Sequence, residues 1–112
     1  MDLSKPDKKI ARALIDKGLE VAYEAALSET YDILKNWKSQ KLDDRTAYME
    51  LYKVLNSHDH GIARRYNGLG GSRYFSTVLS LFLEEVLDQK DIEGFSDEVK
   101  NKLLLSKKSF EE

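Results

Sequence analysis

The chain contains no cysteine and only one proline among its 112 residues. Without cysteine it can form no disulfide bond, no thiolate zinc site and no cysteine nucleophile, which fits an intracellular setting. The longest mostly apolar run, residues 78–83, is far too short to span a bilayer, and the N-terminal residues lack the apolar core of a signal peptide. We therefore expect a cytoplasmic protein.

The charge balance argues against a general polyanion binder, because the formal net charge is -2. Any nucleic-acid site would have to be a local patch. Apolar side chains make up 41% of the chain, which is enough for an ordered core of modest size. We predict that residues 1–112 form a single helical domain.

Apolar residues recur at helical spacing almost throughout, and no strand-like alternation persists. This pattern predicts an all-α protomer of four helices, at about residues 5–38, 43–66, 72–90 and 96–106, followed by a frayed, charged tail. Ser4 and Asp7 resemble a capping box at the first helix. Asn67-Gly68 should end the second helix with a left-handed cap. The third helix is apolar over most of its circumference and should lie in the core.

The first helix would be roughly 45 Å long, more than a globule of this size requires. Small and apolar residues follow one another along it at helical spacing: Gly18, Ala22, Ala25, Ile33 and Trp37. Such residues let a second helix approach closely. We therefore predict an antiparallel homodimer through this face. The alternative is a pair of shorter helices that break at Gly18, since glycine costs about 1 kcal/mol within a helix.

Both histidines lie in the segment 57–76, which also holds the glycine-rich loop Gly68–Ser72. His58 and His60 are two residues apart, so on a helix their rings point about 200° away from each other and cannot share a metal ion. The loop precedes a helix N-terminus, where a phosphate could bind, but it matches neither glycine-rich phosphate motif. We therefore interpret it as an ordinary helix connection and expect no metal or other cofactor.

Arg64, Arg65 and Arg73, with Tyr66 beside them, form a basic and aromatic cluster in the sequence. Such a cluster can contact nucleic acid through phosphates and stacking. It can equally form the centre of a protein interface, where arginine and tyrosine are enriched. A third interpretation is a solvated face paired with nearby acids. We favour a protein partner and keep a small nucleic-acid-binding regulator as the alternative.

No set of side chains predicts catalysis. The Gly-x-Ser-x-Gly motif of serine hydrolases is absent, and no serine and acid form an evident catalytic triad with either histidine. The carboxylates are spread as ordinary surface charge. We therefore expect a binding protein rather than an enzyme.

The segment around the histidines resembles the fluorescence recovery protein family of cyanobacteria. In one register, the family's His-Asp and Ala-Lys-Arg segments match His58-Asp59 and Ala63-Arg64-Arg65. In a second register, its His-x-Ile-x-x-Lys-Tyr-Asp segment matches His60, Ile62 and Arg65-Tyr66-Asn67. Glu85, Leu87, Gln89 and Phe95 fall at similar spacing downstream. The family's tryptophan is replaced by Leu55 or Met49, and in the second register Tyr52-Lys53 replaces the His-Asp pair.

The resemblance implies a small, all-helical, dimeric regulator that binds a partner protein. Cyanobacterial members bind the photoactivated orange carotenoid protein and return it to its resting form, which ends photoprotective quenching. In the first register, the resemblance implies partner-binding roles for His58, Asp59 and Arg65. In a host that lacks this carotenoid protein, a divergent member would need a different partner.

Overall fold

The computed structural model describes all residues of the chain, Met1–Glu112. Its helices are α1 (Lys5–Lys38), α2 (Asp44–Tyr66), a 3-10 turn at Gly71–Arg73, α3 (Tyr74–Leu83) and α4 (Asp97–Glu111). The prediction of an all-α fold with four helices and a long first helix is confirmed. None of the helices combines the length and the apolar character that crossing a membrane requires.

Helix α1 is continuous over 34 residues, about 50 Å, and does not break at Gly18. At its start, the Asp7 N–H donates a hydrogen bond to Ser4 Oγ at 3.3 Å, as a capping box requires. The Asp7 carboxylate does not complete the box. It accepts hydrogen bonds from the backbone N–H and hydroxyl of Ser96, at 2.9 Å and 2.7 Å.

The chain divides into two compact units, and α1 contributes to both. Unit 1 consists of residues 1–18 and 68–112, and unit 2 consists of residues 19–67. The prediction of a single domain stays a prediction.

Unit 1 contains most of the buried apolar side chains. They come from the residues before α1, from its first turns, from α3, from the following segment and from α4: Leu3, Ala11, Leu14, Ile15, Val78, Leu81, Phe82, Leu87, Ile92, Phe95, Val99 and Leu103. Ser76 is the only exposed residue of α3. The prediction that this helix lies in the core is therefore confirmed.

The prediction that the third helix runs from residue 72 to 90 is wrong at its end, because α3 stops at Leu83. Glu85 has φ 63° and forms the left-handed residue of a Schellman motif. Its N–H bonds to the Phe82 carbonyl at 3.2 Å, and the Val86 N–H bonds to the Leu81 carbonyl at 3.0 Å. The apolar periodicity continued past this point because later residues are buried without being helical.

The last helix was predicted to end near residue 106 with a frayed tail, and this is also wrong. Helix α4 continues to Glu111. Val99 and Leu103 are buried on its inner side. The Lys107 ammonium lies 4.4 Å from the centroid of the Phe82 ring, a cation–π contact that anchors the last turns. The tail is therefore helical, and its packing extends to Lys107.

Unit 2 is a hairpin of two helices, formed by the C-terminal half of α1 and by α2. The Trp37 indole N–H donates a 2.7 Å hydrogen bond to Asp44, and Glu29 lies 3.3 Å from His58 Nε2. From the first contact to the second, the residue number on α1 falls from 37 to 29 while that on α2 rises from 44 to 58. The two helices therefore run antiparallel. Helix α2 ends at Tyr66, as predicted. The predicted left-handed cap does not form, because Asn67 is extended at ψ 133° and Gly68, at φ 66°, belongs to the turn that follows.

Candidate functional site

Helix α1 exposes a stripe of large apolar side chains within unit 2: Tyr23, Leu27, Tyr31 and Leu34. Their spacing of four, four and three residues places them on one side of the helix. Leu27 is 66% exposed and Tyr31 is 65% exposed. A row of large apolar side chains exposed to water is unusual on the surface of a soluble monomer and marks an unpartnered face.

Helix α2 exposes a second stripe of the same kind, consisting of Tyr48, Tyr52 and Leu55. The spacing of four and three residues again defines a single side. Tyr48 is 72% exposed, which makes it the most exposed large apolar residue of the chain. The inner side of α2, about a quarter turn from this stripe, carries the buried Ala47 and the half-buried Leu51.

The two stripes lie on the same side of the hairpin. On α1, the stripe lies roughly a quarter turn around the helix from the buried residues Ala26 and Thr30. The turn is in the sense in which the helix winds from its N-terminus to its C-terminus. On α2, the displacement from Ala47 to the stripe has the same size and sense. Because the helices are antiparallel, equal displacements turn both stripes toward one side. We call this surface the hairpin apolar face.

The small residues predicted to form a dimer interface have varied positions. Gly18 is buried, Ala22 and Ile33 are half-buried, and Ala25 is exposed. Trp37 is 38% exposed and is bonded to Asp44. Ala22 and Ile33 lie on the same side of α1 as the buried Ala26 and Thr30, toward the inside of unit 2.

The sequence does not by itself predict the α1 stripe of the hairpin apolar face, although a signal for it exists. Tyr23, Leu27, Tyr31 and Leu34 recur at helical spacing in the sequence. Their pattern is indistinguishable from that of a buried face, because spacing reports the side of a helix and not what covers it. The small residues of the same helix predict close helix packing more directly, so the sequence alone favours them as the interface.

The predicted partner-binding residues of α2 do not share one side of that helix. On α2, Asp59 and Arg64 are exposed, and their five-residue separation places them about 140° apart around the helix. Arg65 and Tyr66 are partly buried. Arg73 is exposed in the 3-10 turn and belongs to unit 1.

His58 lies on the inner side of α2, with its side chain 26% exposed and facing the Glu29 carboxylate. His60 is fully on the outside. The helix therefore separates the two imidazoles, as two-residue spacing requires. No group of three or more histidine, aspartate or glutamate side chains is arranged to hold a metal ion.

Comparison with known proteins gives no relative from which a role could be transferred: no family model matches the chain, and neither a curated protein nor a solved structure is significantly similar to it.

Proposed function

We propose that this protein is a homodimeric, non-enzymatic regulator that acts by binding a partner protein. The observation that carries the proposal is the hairpin apolar face, with seven large side chains left in water: Tyr23, Leu27, Tyr31, Leu34, Tyr48, Tyr52 and Leu55. Covering such a face is favourable by about 25 cal/mol for each Å² of apolar surface removed from water.

A second copy of the chain is a suitable occupant of this face. Two helical hairpins that meet through their apolar sides form a four-helix bundle, a common and stable arrangement. A twofold axis through the face would place the same stripes on both sides, so the surface needs only to be complementary to itself. Tyrosine is suited to such an interface because its ring is apolar while its hydroxyl can remain solvated at the edge.

The regulatory role rests on the resemblance to the fluorescence recovery protein family, together with the small all-α fold and the long first helix. In a host with an orange carotenoid protein, that protein is the proposed partner. Asp59 and Arg64 are exposed and free to contact it, and His58 and Arg65 contribute from a partly buried position. The direct test is to mix purified photoactivated carotenoid protein with this chain and follow the return to the resting form. No acceleration at equimolar concentration would reject this partner.

The dimer is tested by replacing Leu27 with glutamate. We expect wild-type protein to have about twice the protomer mass of 12.9 kDa in light scattering at micromolar concentration. Leu27→Glu places a charge in the centre of the face and should give a monomer, because burying an unpaired carboxylate is strongly unfavourable.

The matched control is Leu105→Glu, the same substitution at a residue of α4 that is 67% exposed, against 66% for Leu27. It should leave the mass unchanged. A monomeric wild type, or a Leu27→Glu protein that remains dimeric, would contradict the proposed assembly.

The alternative function, a nucleic-acid-binding regulator that uses Arg64, Arg65 and Arg73, differs in its response to salt. Phosphate contacts release counterions, so binding to RNA or DNA should weaken steeply as salt increases. Binding to a protein through a partly apolar surface should weaken only gently. The net charge of -2 favours the protein partner.

A further inference from the structure

Helix α2 carries a row of exposed cations on the side opposite its buried residues. Arg45, Lys53 and Arg64 are all exposed and fall within about 100° of helix circumference. The same arc contains the exposed Met49, Asn56 and His60. We call this surface the α2 cationic strip. It is about 28 Å long from Arg45 to Arg64, which is nearly the whole helix.

The charges of the strip are not neutralised within the chain. Of the acidic residues of α2, Asp44 and Asp59 lie outside the arc, and Glu50 lies at its edge, in the same concave surface as Lys53. None of Arg45, Lys53 and Arg64 takes part in an ion pair of the chain. A long helix surface on which cations outnumber acids and form no ion pairs is suited to a partner of opposite charge.

The strip also has an apolar centre. Met49 is 60% exposed and lies between Arg45 and Lys53 in a shallow concave surface. This surface is lined by Arg45, Thr46, Met49, Glu50, Tyr52, Lys53 and Asn56. Methionine is flexible and polarisable, and it adapts to the side chains of a docking partner. Cations around an apolar centre match the usual anatomy of a protein interface.

We propose that the α2 cationic strip is the docking surface for an acidic helical segment of the partner protein. An apolar side chain of that segment covers Met49, and its carboxylates face Arg45, Lys53 and Arg64. The proposal rests on the proposed function, because it specifies where and with what chemistry the partner binds. The strip adjoins the hairpin apolar face at Tyr52 but is centred on another side of α2, so a dimer through that face would present two strips beside its interface.

The observations favour a protein over a nucleic acid. The three cations are separated by about 12 Å and 16 Å along the helix, which exceeds the screening length of about 8 Å at physiological salt. Such sparse charges contact few phosphates at a time. The exposed Met49 at the centre has no role in binding a phosphate backbone.

The strip is tested with a fluorescent synthetic peptide of about 20 residues, long enough for a stable helix, with glutamates on one side and leucines between them. Binding is followed by fluorescence anisotropy and by changes in the amide NMR spectrum of the full chain. We expect spectral changes along residues 45–64 on the outer side of α2. A peptide of the same composition in scrambled order should bind at least about tenfold more weakly, because its apolar and acidic residues no longer share one side.

The decisive variant combines Arg45→Glu, Lys53→Glu and Arg64→Glu, which should weaken peptide binding by at least about tenfold. Its matched control combines Lys5→Glu, Lys9→Glu and Lys102→Glu, three exposed lysines elsewhere, with the same change in net charge. The control should weaken binding less than about threefold. Met49→Ser keeps every charge and should still weaken binding severalfold.

Equal loss in the two triple variants would overturn the proposal, because attraction would then depend on total charge alone. So would spectral changes outside the strip. Tighter binding of a single-stranded RNA oligonucleotide, with a steep salt dependence, would assign the strip to nucleic acid instead.

Light scattering on the same samples separates the two proposals. A monomeric wild type contradicts the dimer, whereas a dimer that does not bind the peptide contradicts only the strip.

Discussion

Asp7 is the clearest case of a single residue whose environment affects the stability of the whole fold. Its side chain is buried at 4% exposure, which by itself raises the pKa of the carboxyl. The hydrogen bonds from the Ser96 hydroxyl and N–H, and then the one involving Ser4, outweigh burial and hold the pKa below its ordinary value. The carboxylate also lies at the N-terminus of α4, where negative charge is favourable.

This environment predicts a dependence of stability on acid. Because the pKa of Asp7 is lower in the folded chain, the unfolded chain binds more protons in acid. The contribution of Asp7 is therefore fully present above its unfolded pKa, about 3.9, and is lost as the pH falls through the folded value. Urea unfolding of Asp7→Asn should give a free energy of unfolding about 1–3 kcal/mol lower at neutral pH, and the difference from wild type should shrink in acid.

The control for this prediction is Asp97→Asn, which removes an exposed carboxylate from the same end of α4. Its free energy of unfolding should change by only a few tenths of a kcal/mol at neutral pH. A constant difference between wild type and Asp7→Asn at every pH would show that the carboxylate charge has no part in the effect.

At the scale of helices, two C-termini end with a residue other than glycine in the left-handed conformation. Gln40 has φ 64° after α1, and Glu85 has φ 63° after α3. After α1, the Gln40 N–H bonds to the Trp37 carbonyl and the Lys41 N–H bonds to the Asn36 carbonyl, as in a Schellman motif. A residue with a Cβ adopts this conformation at a cost of about 1–2 kcal/mol.

Glu85→Gly should therefore stabilise the protein, by about 0.5–1 kcal/mol, because glycine adopts a positive φ without strain. Glu50→Gly, the same change within α2, should destabilise the protein by a similar amount. Thermal unfolding of the two variants would measure the opposite signs. If both variants lose stability, the left-handed cap at Glu85 contributes no strain that glycine can relieve.

The same caps explain how much of the fold the sequence could predict. The start of α1 and the end of α2 were located correctly because Ser4, Asp7 and Gly68 are ordinary helix signals. The end of α3 was not, because Glu85 at a left-handed position carries no such signal. The candidate site was only partly accessible: the spacing of Tyr23 and Leu27 was visible, but their exposure depends on what α2 covers, and that is a tertiary property.

At the scale of the whole molecule, the hairpin apolar face should couple folding to assembly. If a second copy covers this face, the folded dimer is stabilised by mass action while the unfolded chain is not. We therefore expect the urea midpoint of the wild type to rise with protein concentration. Leu27→Glu should unfold at a lower midpoint that does not depend on concentration.

The measurement is circular dichroism at several protein concentrations, with Leu105→Glu as the matched variant that keeps the concentration dependence. For a dimer, a hundredfold change in protein concentration corresponds to about 2.7 kcal/mol of mass-action stabilisation. A wild-type midpoint that stays constant over this range would argue against a coupled dimer.

The hydrogen bond between Trp37 and Asp44 has a practical consequence. Trp37 is the only tryptophan of the chain, so indole fluorescence comes from one known place, where α1 ends and α2 begins. The wavelength of its maximum emission responds to local hydration and to the nearby carboxylate. The protein thus contains its own optical reporter for opening of the hairpin, and the process can be timed by stopped-flow mixing without attaching a dye.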